Sequence, residues 1–565
     1  MFDCHVHTGI APTRIDHRST RAERDAFADW LRAQGELYGI DRFCGIVKIL
    51  GGDVDACRAH NELMATMVAE NPDVLHGWAR VNPEWGEDAV EEFRRAVLED
   101  GLLGLKLTAE VLADDPKVFP LAEAAIEMDV PIKIHTMQRV SRRSWMPNES
   151  FSENIRALAE AYPDLKLLAS HISGGGDWEY RIKNVAHLEN VYMDVSGSVS
   201  DVGVVEMCAE YLGVDRLVWG SDNSLSAAVG RLEGADLTPA EKAEIAYRTN
   251  ELLRPDDPYR YDEDELAALK EETRQRFERV GEEWAETTVV DANAFVGHWP
   301  FRRIDISADR LLSTMDEKGV DAAAVSSANS VWYRNVHEGN RELMDAIEGY
   351  EDRLLPVATI DPTYAAWEAD LAECIEEFGM RGVKLLPAYH DYDLNDSAAK
   401  ALLSACADYD VPAILVATVE DQRQRHPRVQ LRGWEEHPNR PKSWRDEQIE
   451  HMLELLADVP EADVVVADAW HAAAQMVEGT TARKDGLWTG NRERSGGLYF
   501  VLGDLFQDYP SRRDRLLAEV GAERLVLGPT LPFMVFESYA TARYLPVDDE
   551  TKAKIRGETL QSLLE

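Results

Sequence analysis

Two histidines spaced two apart, His5 and His7 in Asp-Cys-His-Val-His, have the arrangement that a metal ion needs. Alternate side chains of an extended strand share one face, so both imidazoles point the same way. A bound ion requires that convergence, because nitrogen ligands must all lie about 2 Å from one point. A lone His-x-His pair is weak evidence, since ordinary strands carry such pairs. Three more residues strengthen it. His135 closes Val-Pro-Ile-Lys-Ile-His, His171 closes Leu-Leu-Ala-Ser-His, and Asp222 closes Trp-Gly-Ser-Asp. Each follows a short apolar run that reads as a buried parallel strand, the fifth, sixth and eighth of the first half. Ligand-type residues at the C-terminal ends of such strands point to an active site, whereas satisfied core histidines have no reason to collect there.

Arg139, Arg142 and Arg143 follow the fifth strand, where forked guanidinium hydrogen bonds suit recognition of a substrate carboxylate. The competing reading is a solvated loop with surface ion pairs; Arg139 stands nearest the strand end. Lys106 ends the fourth strand in Gly-Leu-Leu-Gly-Leu-Lys, and hydrogen bonding, packing or substrate contact are its expected roles.

The elements that must position these residues occur twice. Asp3-Cys-His5-Val-His7 matches Asp291-Ala-Asn293-Ala-Phe295, and the stretch from Gly39 matches that from Gly319. Arg80-Val-Asn82-Pro83 matches Thr359-Ile-Asp361-Pro362, and Gly101-Leu-Leu-Gly-Leu-Lys106 matches Gly379-Met-Arg-Gly-Val-Lys384. Val130-Pro-Ile-Lys-Ile matches Val411-Pro-Ala-Ile-Leu, and Arg216-Leu-Val-Trp-Gly220-Ser-Asp222 matches Arg524-Leu-Val-Leu-Gly528-Pro-Thr530. Colinear self-similarity of this kind marks a tandem repeat. In each half short apolar runs alternate with amphipathic stretches such as Glu87–Glu99 and Glu368–Phe378, which predicts βα units and a parallel sheet. About eight units in about 250 residues is the size of a (β/α)8 barrel. A doubly wound sheet is the alternative, but no Gly-rich phosphate loop follows the first strand. The expected organisation is α/β: two tandem TIM-like barrels, 1–253 and 288–565, joined by a charged helical linker, 254–287. Leu266, Leu269, Thr273, Phe277, Val280 and Trp284 give that linker an amphipathic helical spacing.

Composition narrows the setting. The 565 residues hold 104 acidic against 60 basic side chains, 45 of them arginine, for a net charge of −44. Such a field repels nucleic acid and anionic membranes, so neither is an expected partner. A lysine-poor acidic surface suits solubility at high salt, which predicts a halophilic source. No apolar run approaches the roughly 18–20 residues of a membrane span. Met-Phe-Asp-Cys-His lacks the basic and apolar regions of a signal peptide, and the six cysteines are scattered without a Cys-x-x-Cys, so a cytoplasmic protein with reduced thiols is expected.

With His-x-His on strand one, histidines on strands five and six and Asp on strand eight, the chain resembles the amidohydrolase superfamily. The text around His135, His171 and Asp222 is similar to its amidohydrolase-2 branch, which holds hydrolases alongside decarboxylases like aminocarboxymuconate-semialdehyde decarboxylase. The resemblance implies one divalent ion, Zn2+ first and Mn2+ admitted, held by His5, His7, His135 and Asp222, with His171 beside it as acid/base or polarising group. It implies metal-activated water, with Asp222 moving its proton. Binuclear relatives carry a metal-bridging lysine at the place of Lys106, but Lys384 fills the same place in the half without ligands, which argues against that role here.

The second half offers Asn293, Phe295, Val416, Trp470 (or His471 with a one-residue shift) and Thr530 at the ligand positions, and is expected to be a metal-free barrel standing in for an ancestral partner subunit. Its loop from Arg423 to Lys442 carries six basic residues against two acidic ones, and Arg483, Lys484, Arg492 and Arg494 follow. Docking on the first barrel is the expected role, an anion site the alternative. His298, Arg302, Trp332 and Tyr333 could line such a site, but packing is their expected role. The expected function is metal-dependent hydrolysis of an ester, lactone or amide bond in a small carboxylated substrate. A decarboxylase on the same site is the alternative, and a non-catalytic scaffold, which the intact first half opposes, is the second. Self-association of the whole chain is left open.

Overall fold

The computed structural model describes residues 1–8, 15–47, 53–139, 146–172, 174–197, 201–280, 282, 287–421, 423, 425, 427–429, 431, 444, 446–467, 495–502, 517–518, 520–533 and 537–565. The protein is α/β with parallel sheets, and its two compact units change over between Glu278 and Arg279.

The first unit contains strands β1 (Phe2–His7), β2 (Arg42–Ile46), β3 (Leu75–Gly77), β4 (Leu105–Leu107), β5 (Ile132–Ile134), β6 (Leu167–Ala169), β7 (Val191–Asp194) and β8 (Leu217–Val218). They form two parallel sheets in sequence order, β1 to β3 and β4 to β8. A bridge from Ala79 to Leu105 continues the ladder between the sheets. Beyond β8 the Trp219 carbonyl accepts from the Cys4 amide at 3.1 Å, which brings the last strand beside the first. Strands β4, β5 and β6 are buried at every position, as a parallel sheet covered on both faces demands. Helices such as Arg21–Tyr38, Val54–Glu70 and Glu87–Leu98 run between the strands, the last as its sequence spacing predicts. Helix Glu263–Glu278, within the stretch expected to link the halves, buries Thr273 and Phe277. Its Lys270 meets Glu244 of helix Pro239–Leu252 at 2.6 Å. Trp284 lies outside the described residues.

The second unit repeats the plan with β9 (Val290–Val296), β10 (Ala322–Ser327), β11 (Leu354–Pro356), β12 (Ala358–Thr359), β13 (Val383–Leu385), β14 (Ala413–Leu415), β15 (Val464–Val466), β16 (Leu498–Leu502) and β17 (Leu525–Leu527). Strands β9 to β11 make one sheet and β12 to β17 another, and Ala294 bridges to Leu531 beyond β17. The expected single helix over Glu368–Phe378 is instead helix Trp367–Ala372 followed by a widened π turn, Glu373–Glu377, that carries the fully buried Cys374.

Ladder registers align the two units residue by residue. Asp3 pairs with Phe43 as Asp291 pairs with Ala323, and His7 with Ile46 as Phe295 with Ser326. Lys106 pairs with Lys133, whereas Lys384 pairs with Ile414. Asp194 pairs with Val218, whereas Val501 pairs with Val526. The repeated Gly39 and Gly319 also share one cause. Each ends a helix at φ 69° in the left-handed region, where a Cβ is strained, and turns the chain into the next strand. All six cysteines are free and buried. Among the described residues no helix is long and apolar enough to cross a membrane.

Candidate metal centre

Two short corners past β6 and β8 deliver the polar side chains. His171 at φ 65° and Asp222 at φ 49° both sit in the left-handed region, which costs a non-glycine residue about 1–3 kcal/mol and needs compensation from its surroundings. The compensation is explicit. The Asp222 amide donates to the His5 carbonyl at 2.8 Å. The Asn223 side chain clamps both main-chain groups of His7, accepting from its amide at 2.6 Å and donating to its carbonyl at 3.1 Å. The His171 amide donates to Asp194 Oδ1 at 2.8 Å.

Asp222 Oδ1 consequently lies 3.2 Å from His7 Nε2 and 3.5 Å from His5 Nε2, and its Oδ2 is 3.7 Å from His171 Nδ1. The donor atoms of His5, His7 and Asp222 all fall within 4.8 Å of one another, as do those of His5, His171 and Asp194. Both of these groups among the described residues belong to the first unit. His5 Nε2 is fully buried and makes no hydrogen bond, the signature of an atom positioned for something else. In the first group that nitrogen faces a carboxylate oxygen and a second imidazole, a donor set that fits a divalent ion of borderline softness. The second group fits less well, because the oxygens of Asp194 are already taken. Lys133 Nζ and His5 Nδ1 approach its Oδ2 at 2.5 and 3.3 Å, and Ser196 Oγ donates to its Oδ1 at 2.5 Å.

His135, expected among the ligands, stands outside that three-residue group. Its Nδ1 is 3.1 Å from His171 Nε2, and its Nε2 is 3.4 Å from Glu149 Oε1. His171 links it to the rest, stacking on His5 with ring centroids 4.8 Å apart. Arg139 is buried, with Nε 3.8 Å from the same Glu149, while Arg142 and Arg143 lie outside the described residues. Lys106 is buried and donates to Ser170 Oγ at 2.8 Å, one residue before His171. Lys133, Asp194, Ser196 and Glu149 are the neighbours that reading the sequence missed.

Burial sets the protonation states. It pushes the His5 and His171 imidazoles well below the usual histidine value and His135 below it, so all three are neutral near pH 7. Burial likewise drives the Lys106 ammonium well below the lysine range, assisted by the Lys133 charge. For Asp222 burial opposes ionisation, but His171, His5 and His7 outweigh it and hold the carboxyl below the usual carboxylate range. Asp194 shows the same contest, won by Lys133, and is held well below that range.

In the second unit Asn293 Nδ2 donates to Thr530 Oγ1 at 3.2 Å, at the places of His5 and Asp222. Phe295 stands where His7 does, its ring 6.1 Å from Phe533 and 4.0 Å from Lys384 Nζ. Val416 follows β14 as His135 follows β5, and joins Phe295, Ile414 and Val501 in one apolar cluster. Trp470, His471 and Arg432, Arg440, Lys442, Arg483, Lys484, Arg492 and Arg494 lie outside the described residues. Arg425 is buried against Phe301, its guanidinium 3.9 Å from the ring, and bonded to Glu420 at 2.5 Å.

The His/Asp cluster at the strand ends of the first unit is answered in the second by an apolar core. The model of the Amidohydrolase family, the amidohydrolase-2 branch, matches residues 2–278 and again 255–559, and the chain belongs to it. Among characterised relatives, 2-amino-3-carboxymuconate-6-semialdehyde decarboxylase of Dictyostelium discoideum is 27% identical over 182 residues, 29% of this chain and 50% of that protein. The chain thus spans half the length of that relative. Gamma-resorcylate decarboxylase of Rhodococcus jostii is 21% identical over 249 residues, 35% of this chain and 75% of that protein. A solved dihydroxybenzoic acid decarboxylase from Polaromonas, with bound manganese and 2-nitroresorcinol, is similar at a TM-score of 0.38 and 16% identity, covering 49% of this chain and 97% of that one.

Proposed function

We propose that the chain is a divalent-metal-dependent decarboxylase of a small carboxylated substrate, with the reaction confined to the first unit. We read each unit as a closed (β/α)8 barrel, over 1–253 and 288–565, with 254–287 between them and the second barrel metal-free. The observation that carries this reading is the convergence of His5, His7 and Asp222 around the unpartnered His5 Nε2. The ligand set alone serves hydrolysis and decarboxylation equally; the decarboxylase names of both curated relatives favour loss of carbon dioxide.

His5, His7 and Asp222 would hold the ion, with His135 completing the set. A divalent ion held there supplies Lewis-acid polarisation of a substrate oxygen or of water. When the bond to the carboxylate breaks, its electron pair stays on the ring or chain carbon, which must then take a proton. Neutral His171 can take up a proton from solvent and release it to the carbon, and the ionised Asp222 beside it favours the protonated imidazole. Arg139, Arg142 and Arg143 would fork onto the substrate carboxylates, and Lys106, behind Ser170, would line the floor.

The test is mass-spectrometric detection of carbon dioxide from the Mn2+-loaded full chain given gamma-resorcylate and related hydroxybenzoates. The reading predicts stoichiometric carbon dioxide and no uptake of 18O from water into product. Water uptake with ester, lactone or amide substrates, and no carbon dioxide from any carboxylate, would overturn it in favour of the hydrolase.

A further inference from the structure

A lysine and an aspartate face each other at full burial inside the first unit. Lys133 Nζ lies 2.5 Å from Asp194 Oδ2 and 3.1 Å from Cys4 Sγ, with both charged side chains at zero exposure. Burying two charges rarely stabilises a fold relative to apolar residues of similar volume, so such a pair calls for another reason. The second unit supplies the comparison. At the same registers it carries Ile414 and Val501, packed in one apolar cluster with Phe295 and Val416. The scaffold therefore does not need the pair. Lys106, by contrast, keeps its counterpart Lys384. The ion pair goes where His5, His7 and Asp222 go, and the neighbouring lysine does not.

Hydrogen bonding explains the association. An ionised carboxylate only accepts. Asp194 accepts from Lys133, from the His171 amide at 2.8 Å and from Ser196 Oγ at 2.5 Å. Its contact with His5 Nδ1 at 3.3 Å therefore places the imidazole proton on Nδ1 and leaves Nε2 as a lone pair facing Asp222. The Ser196 hydroxyl proton is committed to Asp194, so Ser196 Oγ, 2.8 Å from His171 Nδ1, accepts there. His171 likewise carries its proton on Nδ1 and leaves Nε2 as a lone pair facing His135 Nδ1 at 3.1 Å.

We propose that Lys133 and Asp194 form a positioning pair that fixes both His5 and His171 as Nδ1–H tautomers, leaving the His5 Nε2 lone pair toward Asp222 and the His171 Nε2 lone pair toward His135. A carboxylate behind a ligating imidazole sets the ring's tautomer and orientation, and losing such a partner weakens metal affinity 10–100-fold. Lys133 keeps that carboxylate ionised and saturates the oxygen that would otherwise draw His5 out of line. This inference rests on the metal-centre reading but not on the reaction.

The test copies the second unit's own solution. The full-length double variant Lys133→Ile/Asp194→Val removes both charges together, which avoids stranding one of them, and its fold is checked by circular dichroism. Mn2+ titration of chelator-stripped protein, followed by the electron paramagnetic resonance of free Mn2+, should give a Kd 10–100-fold weaker than wild type. A Kd within twofold of wild type in a folded variant overturns the positioning role. Wild type that binds no Mn2+ overturns the metal-centre reading on which the inference rests. Should the double variant not fold, long-range 1H–15N correlation of 15N-histidine-labelled, metal-free wild type decides. Nδ1–H signals for His5 and His171, assigned through His5→Gln and His171→Gln, support the pair; Nε2–H signals contradict it.

Discussion

The interiors of the two units occupy the same ladder registers and have opposite chemistry. In the first, His7, Lys133 and Asp194 project into a polar centre; in the second, Phe295, Ile414 and Val501 fill the same places with hydrocarbon. The backbone plan is shared, so the parallel ladder does not depend on what the strand ends carry. The residues kept in both units are then informative. Asp3 takes three hydrogen bonds, from the His5 amide and from the Ser221 amide and hydroxyl, and so ties β1 to the end of β8. Asp291 takes them from the Asn293 amide and Tyr539. Both serve the scaffold, and the differences between the units isolate what serves the site.

The comparison breaks most sharply at Asp222. Asp222→Asn removes the charge that would hold the ion and favour a protonated His171, and turnover of a carboxylated substrate should fall by about 10²–10⁴-fold with the fold unchanged by circular dichroism. Retained turnover would detach the site from the reaction.

The reverse substitution sharpens it. Asn293→His/Phe295→His/Thr530→Asp gives the second unit the three central ligand types while leaving Ile414 and Val501 behind them. Elemental analysis should find no additional ion in this variant. An added equivalent of metal would mean that the outer residues are dispensable.

A third prediction concerns pH. Burial raises the Asp291 carboxyl to about 7 from an ordinary 3.8. A folded-state value above the unfolded one means that the folded protein binds more protons between them. The stability it contributes is therefore complete below about pH 4 and is lost as pH rises to 7, by at most about 4 kcal/mol. In Asp291→Asn this loss should vanish, so wild-type Tm should fall relative to the variant across that window. Parallel Tm profiles would refute the assignment.

The smallest effect separates the two repeated glycines. Gly319→Ala should cost about 1 kcal/mol from left-handed backbone alone. Gly39→Ala should cost slightly more, because the Arg276 guanidinium, whose Nη1 would stand 1.6 Å from the new Cβ, must swing aside. Equal midpoints in urea denaturation would deny the difference.

Much of this was legible in the sequence. Histidines and an aspartate at the ends of apolar runs marked side chains that the structure brings together, and the internal repeat announced two α/β units. Lys133 and Asp194 were not legible, for a physical reason. A lysine inside Ile-Lys-Ile reads as one polar interruption in a strand, and an aspartate after Val-Tyr-Met reads as a turn residue. Only the ladder register, which sets Lys133 against Ile414 and Asp194 against Val501, marks them as specific to the unit that carries the histidines. Glu149 was missed because it lies past the loop that follows β5, where spacing carries no signal. The π turn at Glu373–Glu377 escaped because an amphipathic pattern does not distinguish a widened turn from a regular one.

The central claim is one ion, held in the first unit. Elemental mass spectrometry of the full chain, purified without chelator, measures it directly, with wild type beside His5→Ala/His7→Ala. The account predicts about one divalent transition metal per chain in wild type and none in the double variant. Two per chain, or a full equivalent retained by the variant, would contradict it.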